Sequence, residues 1–415
     1  MGSTPFPKRF LWGASTSAHQ VEGGNHNQWS VWELENARSL GTQAEYQYGD
    51  LENWKDIEKA AKNPENYVSG RAADHYKQYK NDIAIAKKLN MNALRFSVEW
   101  SRIEPREGAW DVEAIDHYKS YVQELTRQGI EPVLTLFHFT LPVWFAERGG
   151  FEKRSNVRYF LRFAEKILAE LGSDITYVIT INEPEVYAAE SYLEGRWPPM
   201  VQSKLKFHTV LTNLAHAHNR AARMIHQTSR RYKVSVAKNS NYIYSGDTAR
   251  LSVLSASVMQ YIQDDYFLRK IRRYCDFLGV NYYFSQRVYG YRIHNPEQRV
   301  SDLGWDMSPA DLEHTLERLA SKYKLPIIVT ENGVADASDE KRQWWMTHTI
   351  AALQRALKAG VDVRGYLHWS LLDNFEWDKG KWPRFGLVEV NYETMERTIR
   401  PSGRRYGAMI KKVRN

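Results

Sequence analysis

Two carboxylates stand where a sequence can put them to work. Glu183 closes the run Tyr177-Val-Ile-Thr-Ile-Asn182 and precedes Pro184; Glu331 closes Ile327-Ile-Val-Thr330 and precedes Asn332-Gly333. Cleavage of a glycosidic bond needs such a pair: one carboxylic acid to protonate the leaving oxygen, and one carboxylate to attack or stabilise the anomeric carbon. A separation of about 5–5.5 Å would make the reaction retaining, with a covalent intermediate. Taken alone, each Glu also fits a strand-end residue that caps a helix or pairs with a surface Arg, so the neighbours have to decide. Arg95 could hold Glu331 ionised, and Asn182 could donate to a sugar 2-hydroxyl. Residues 368–377 read His-Trp-Ser-Leu-Leu-Asp-Asn-Phe-Glu-Trp. There Trp369, Glu376 and Trp377 would form a wall that suits a neutral sugar, rings covering C–H bonds and the carboxylate taking hydroxyl donors.

Residues this far apart in sequence need a scaffold that gathers them. Short apolar runs alternate with amphipathic segments eight times. The candidate strands are Phe10–Ser15, Ala93–Val98, Pro132–His138, Tyr177–Asn182, Val234–Asn239, Phe277–Asn281, Ile327–Glu331 and Val363–Trp369. Most are nearly continuously apolar, as parallel strands buried on both faces are. Between them, residues such as Ile115, Tyr118, Val122 and Leu125, or Phe160, Ala164, Ile167 and Leu171, recur at helical spacing. The alternation predicts a parallel sheet, either a closed barrel or an open doubly wound sheet. Position marks a candidate site. Gln20, Arg95, His138, Asn182–Glu183, Asn281–Tyr283, Glu331 and Trp369 fall at or just past C-terminal strand ends, where barrel enzymes assemble their sites. The expected fold is α/β, a single domain over residues 1–415 without a dividing linker, with the closed barrel and the open sheet both still possible. Ser39–Asn66, polar and weakly periodic, is expected to be a long loop with one short helix.

Composition narrows the partners. The net charge is +8, but Lys and Arg are spread among 49 acidic residues without a block of like charge, so a nucleic-acid partner is not expected. Fourteen Trp and 25 Tyr suit a carbohydrate site. A single cysteine, Cys275, excludes an intrachain disulfide. The first residues lack the apolar core of a signal peptide, and no apolar run approaches membrane-spanning length. A cytoplasmic protein with no membrane partner is the expectation. His208, His216, His218 and His226 fall on one predicted helix and read as core or surface residues. With no Cys-x-x-Cys or His-Glu-x-x-His, neither metal nor cofactor is expected. Met1–Thr4 reads equally as native or as an expression remnant.

Together these segments resemble glycoside hydrolase family 1, the β-glucosidase and β-galactosidase family. The likeness runs in order through Phe6-Pro-Lys-Arg-Phe-Leu-Trp-Gly-Ala-Ser-Thr-Ser-Ala-His-Gln20, Leu94-Arg-Phe-Ser-Val-Glu-Trp-Ser-Arg102 and Thr180-Ile-Asn-Glu-Pro184. It continues through Asn281-Tyr-Tyr283, Ser301-Asp-Leu-Gly-Trp305, Thr330-Glu-Asn-Gly333, residues 368–377 and Arg384-Phe-Gly-Leu387. The resemblance implies a (β/α)₈ barrel, a retaining double displacement and no cofactor. It makes Glu183 the acid/base and Glu331 the nucleophile, with Tyr283 donating to Glu331 and Arg95 beside it. It assigns Gln20, His138, Asn182, Trp369, Glu376 and Trp377 to the sugar, and Trp305 to the leaving-group side.

Two positions depart from the family pattern. Phe139 follows His138 where Trp is usual, so an indole N–H is missing. Glu185 follows Pro184 where Trp is common, which implies a more polar leaving group. Members acting on 6-phosphorylated sugars usually replace the Glu376 equivalent, which is kept here. Thioglucosidases lack the acid/base carboxylate, and sugar-binding relatives without catalysis lose one of the two. Both are present, so the expectation is hydrolysis of a small neutral β-O-glycoside or oligosaccharide, β-glucosides first. Galactose and fucose also fit, and the oligomeric state is open.

Overall fold

Strands buried on both faces need layers above and below, and closure supplies both. In the computed structural model, which describes residues 5–295 and 299–414, eight parallel strands close on themselves. They are β1 (Leu11–Ser15), β2 (Ala93–Ser97), β3 (Glu131–Phe137), β4 (Tyr177–Asn182), β5 (Lys233–Asn239), β6 (Leu278–Tyr282), β7 (Ile327–Asn332) and β8 (Val363–Trp369). Closure is settled by β1, which pairs with β2 on one side and β8 on the other, so the open doubly wound alternative is excluded. Each strand lies within one residue of its expected ends.

The amphipathic segments are the outer helices. Val157–Leu171, for example, buries Phe160, Phe163, Ile167 and Leu171 against the sheet. A smaller apolar layer fills the barrel, with Leu11, Val133, Ile179, Ile328 and Leu367 among its members. Side chains two positions apart share a strand face. One step along from Ala93, Val133 and Ile328, the residues become Arg95, Thr135 and Thr330, all fully buried. The interior thus turns from apolar to polar toward the C-terminal ends of the strands.

One expectation is corrected. The segment Ser39–Asn66 is mostly helical, covered by the end of Gln28–Tyr48, by Trp54–Ala61 and by a short turn at Pro64–Tyr67. The first of these helices starts upstream, at a reciprocal cap in which Asn27 accepts from the Ser30 N–H while Ser30 accepts from the Asn27 N–H. Its buried positions include Gly41 and Ala44, residues too small to show as an apolar stripe. Ala44 and Tyr48 pack with Ile57, Ala61 and Trp382, a partner more than 300 residues away that no local pattern reveals.

The barrel layer should carry much of the stability. Leu367→Ala, at a fully buried position in that layer, is expected to lower unfolding free energy by about 2–5 kcal/mol. Urea unfolding followed by circular dichroism would measure it, and a loss below about 1 kcal/mol would contradict the packing described.

Candidate active site

The strands that carry the two carboxylates both break register just before them. β4 slips against β5 between Ile179 and Asn182, and β7 slips against β6 between Val329 and Glu331. Such irregularities re-aim the side chains that follow. Glu183 itself has φ 37° and ψ 62°, a left-handed conformation rare for a residue with a side chain. Its N–H is held by the Ala237 carbonyl at 2.7 Å, and the helix Pro184–Tyr192 starts immediately after it. After Glu331 the chain passes tightly under β8. A side-chain carbon on Gly333 would lie 1.8 Å from the Trp369 carbonyl oxygen, which accounts for the glycine of Thr330-Glu-Asn-Gly333.

The two carboxylates meet different partners. Arg95 Nη1 donates to Glu331 Oε1 at 2.5 Å, and the Tyr283 hydroxyl donates to Glu331 Oε2 at 2.6 Å. Glu183 Oε1 accepts only from amides, Asn281 Nδ2 at 2.8 Å and Asn239 Nδ2 at 3.2 Å. Asn281 cannot turn freely, because its own Oδ1 accepts from Thr330 Oγ1 at 2.7 Å. The second arm of Arg95 reaches Asn182 Oδ1 at 2.6 Å, and the Asn182 amide donates to His138 Nε2 at 3.1 Å. Arg95 therefore fixes Glu331, Asn182 and, through Asn182, His138. Burial and then the Arg95 charge push His138 well below the usual histidine range, so its ring is neutral. With Nε2 accepting, the proton sits on Nδ1, which is buried and has no hydrogen-bond partner among the described residues. That N–H is a donor waiting for a ligand.

Around the carboxylates lies a cavity of about 430 Å³. Every residue assigned to the sugar is in its wall: Gln20, His138, Asn182, Trp369, Glu376 and Trp377, with Tyr283 and Trp305 beside them. Gln20 Nε2 donates to Glu376 Oε2 at 3.3 Å and to the Phe375 carbonyl at 2.8 Å, which ties the end of β1 to the segment after β8. A larger cleft of about 620 Å³, lined by Arg269, Arg272 and Tyr274, includes none of these residues and has no carboxylate in its lining.

Comparison with known proteins bears on the family and the fold. The model of glycosyl hydrolase family 1 matches residues 2–271 and 261–414. The chain belongs to glycosyl hydrolase family 1. The enzyme is 28% identical to β-glucosidase A of Thermotoga maritima, over 99% of each chain. Among solved structures it is similar to a β-glycosidase from Pyrococcus horikoshii (33% identical, TM-score 0.87, covering 99% of this chain and 96% of that one). It is also similar to the T. maritima β-glucosidase in complex with glucoimidazole (26% identical, TM-score 0.86, 99% of each chain).

Against the family pattern, Phe139 lies edge-on to Trp377 and packs on Trp197, with ring centroids 5.1 Å away in each case. Glu185 overturns an expectation. It does not line the cavity of this glycosidase. Its Oε1 accepts from Lys238 Nζ at 2.6 Å and from the Asn239 N–H at 3.0 Å. Lys238 is almost wholly buried and needs a counter-charge, which turns Glu185 away from the leaving group. Val186, Phe284 and Trp305 line the cavity instead, together with the amides Asn239, Asn241 and Gln263.

Three participants escaped the sequence reading. Asn239 ends β5 and was findable by the rule that found the others. Asn281 stands out in the sequence as a strand-end residue, but nothing there marks it as the direct partner of Glu183. Trp197 lies in a loop, away from any strand end, and no local signal marks it. Its indole N–H donates to Asp378 Oδ1 at 2.9 Å.

Burial, then the facing Glu331 carboxylate, push Glu183 up to about 8. Burial raises Glu331 too, but Arg95 and Tyr283, which bond its ionised form, oppose that rise. A single proton shared by the pair therefore belongs on Glu183. In the free enzyme, an infrared carboxyl band removed by Glu183→Gln should titrate near pH 8. In Glu331→Gln the same band should titrate at lower pH, because the negative neighbour is gone; an upward move would contradict the assignment.

Proposed function

We propose that this family 1 enzyme is a retaining β-glycosidase of neutral sugars, β-glucosides first, working by double displacement. The observation that carries the reading is the unequal setting of the two carboxylates. Glu331, between Arg95 and Tyr283, is the ionised nucleophile. Glu183, held by two amides and facing a negative charge, is the protonated acid.

In the first step Glu331 attacks the anomeric carbon while Glu183 protonates the leaving oxygen. In the second, Glu183 removes a proton from water, which displaces Glu331 and releases the sugar with its configuration retained. Esterification of Glu331 removes the charge that raises Glu183, so its pKa falls when a base is needed. Asn182 serves the 2-hydroxyl, and His138 Nδ1 supplies a second donor to the ring. Trp369 and Trp377 cover its C–H face, while Gln20 and Glu376 take hydroxyls. Trp305 faces the leaving group.

The phosphorylated-sugar reading has less support. The cations in the wall are already engaged: Lys379 with Asp378 at 2.8 Å, and Arg196 with Glu190 at 2.6 Å. Burial pushes Glu376 up to about 8. It is therefore largely neutral near pH 7, and the stronger argument against a phosphate is the absence of an available cation among these two, not repulsion by Glu376.

Initial rates on p-nitrophenyl β-glucoside, galactoside, fucoside, mannoside and 6-phosphoglucoside would test the reading. Release from the neutral glycosides, lost in Glu331→Gln, is expected; turnover of the phosphorylated sugar alone would overturn it. Since the acid form of Glu183 is needed, kcat/KM should fall as pH rises through about 8. Glu183→Ala should lose about 10²–10⁴-fold on substrates with poor leaving groups. Azide should restore its turnover and give a β-glycosyl azide. An α-azide would contradict the assigned roles.

A further inference from the structure

The helix Arg250–Gln260 is built inside out. Its buried face is Ser252, Ala256 and Gln260, small or polar. Leu251, Leu254 and Val258, continued by Ile262 in the single π-helical turn that follows, recur at spacings of three and four, so they share a face. They are between 48% and 64% exposed. A surface helix normally turns its apolar stripe to the core. This one sets only Ala256 and the half-buried Met259 against Ile243 and Val288, and polar contacts complete the anchor: Gln260 accepts from the Ile243 N–H at 2.8 Å, and Ser252 Oγ accepts from the Gly290 N–H at 2.8 Å. Leu251 reaches the same turn, where Tyr291 is 68% exposed. Scattered exposed hydrophobics are ordinary, but a contiguous stripe marks a surface that meets a partner.

The charges beside the stripe indicate which partner. The helix contains no acidic residue, and Arg250 at its start is exposed. Arg292, also exposed, lies 5.6 Å from the Tyr291 ring. Asp247 is turned back onto the Ala249 N–H at 3.0 Å. Two copies meeting through this face about a two-fold axis would gather like charges. An anionic lipid surface would give each arginine a phosphate and the stripe a hydrocarbon boundary. No helix among the described residues is long and apolar enough to cross a membrane, so the contact is with the bilayer surface.

The stripe also borders the cleft. Gln263, next after Ile262, is in the cavity wall and donates to the Asn239 carbonyl at 3.2 Å; Asn239 in turn holds Glu183. Val186, Phe284 and Trp305 are in the wall of the same cavity and offer apolar surface beside these amides. We propose that the outward face of Arg250–Gln260 docks the enzyme on anionic lipid bilayers and gives the cleft access to β-glycosides whose aglycone is an apolar chain. The substrate half of this inference rests on the β-glycosidase reading.

The test uses the intact protein and Leu254→Glu/Val258→Glu, substitutions on the exposed stripe and outside the catalytic machinery. Co-sedimentation with mixed phosphatidylglycerol–phosphatidylcholine vesicles should retain the wild type, and the variant should bind about tenfold less. Hydrolysis of dodecyl β-glucoside carried in those vesicles should fall in parallel. Melting temperature and the rate on soluble p-nitrophenyl β-glucoside should not change. A wild type left in the supernatant, or a variant that binds equally, would overturn docking. So would a dimer by light scattering that the variant dissociates while neither protein binds vesicles. Docking without any release of p-nitrophenol would instead sink the glycosidase reading alone.

Discussion

The structure of the site depends on one buried cation. Arg95 is fully enclosed in the barrel, and its guanidinium has to be met by acceptors from other strands. It finds Thr135 on β3, Asn182 on β4 and both Glu331 and the Thr330 carbonyl on β7. Four strands are thereby held in one relation. A guanidinium presents its donors in a fixed plane, so the acceptors are oriented as well as neutralised. The polar upper half of the barrel follows from this constraint, because each acceptor needs partners of its own. Asn182 passes the constraint to His138, and Thr330 passes it through Asn281 to Glu183. Chemical asymmetry between two glutamates is in this sense a property of packing: one lies within reach of the cation and the other does not.

Backbone irregularity does the remaining placement. A regular strand would direct successive side chains alternately into and out of the barrel. The register slips in β4 and β7, and the left-handed Glu183, depart from that rule at the two positions where the chemistry is concentrated. Local strain of this kind costs of order 1–3 kcal/mol per residue and persists only where the surroundings impose it. Here the Ala237 carbonyl, the helix beginning at Pro184 and the amides of Asn239 and Asn281 impose it together.

Much of this was legible in the sequence, for identifiable reasons. Buried parallel strands are apolar throughout, so all eight could be read directly. Their C-terminal ends gave the carboxylates, His138 and Trp369 by position, whereas Arg95 lies in the middle of β2. What escaped depends on distant partners. The helix through Gly41 and Ala44 packs on Trp382, and its small residues give no stripe. Glu185 looked like a cleft residue until Lys238, more than fifty positions later, claimed it. Trp197 enters from a loop. The inverted helix at Arg250–Gln260 has a visible apolar period, but only the fold shows that the period faces outward.

The central claim is that the environment makes Glu331 the nucleophile and leaves the proton on Glu183. A 2-deoxy-2-fluoro-β-glucosyl fluoride tests it most directly, because the ring fluorine slows both steps while the good leaving group lets the first outrun the second. Peptide mapping by mass spectrometry after brief exposure should find the fluorosugar on Glu331, in one-to-one stoichiometry with lost activity. A label on Glu183, or inactivation without any covalent adduct, would contradict the account.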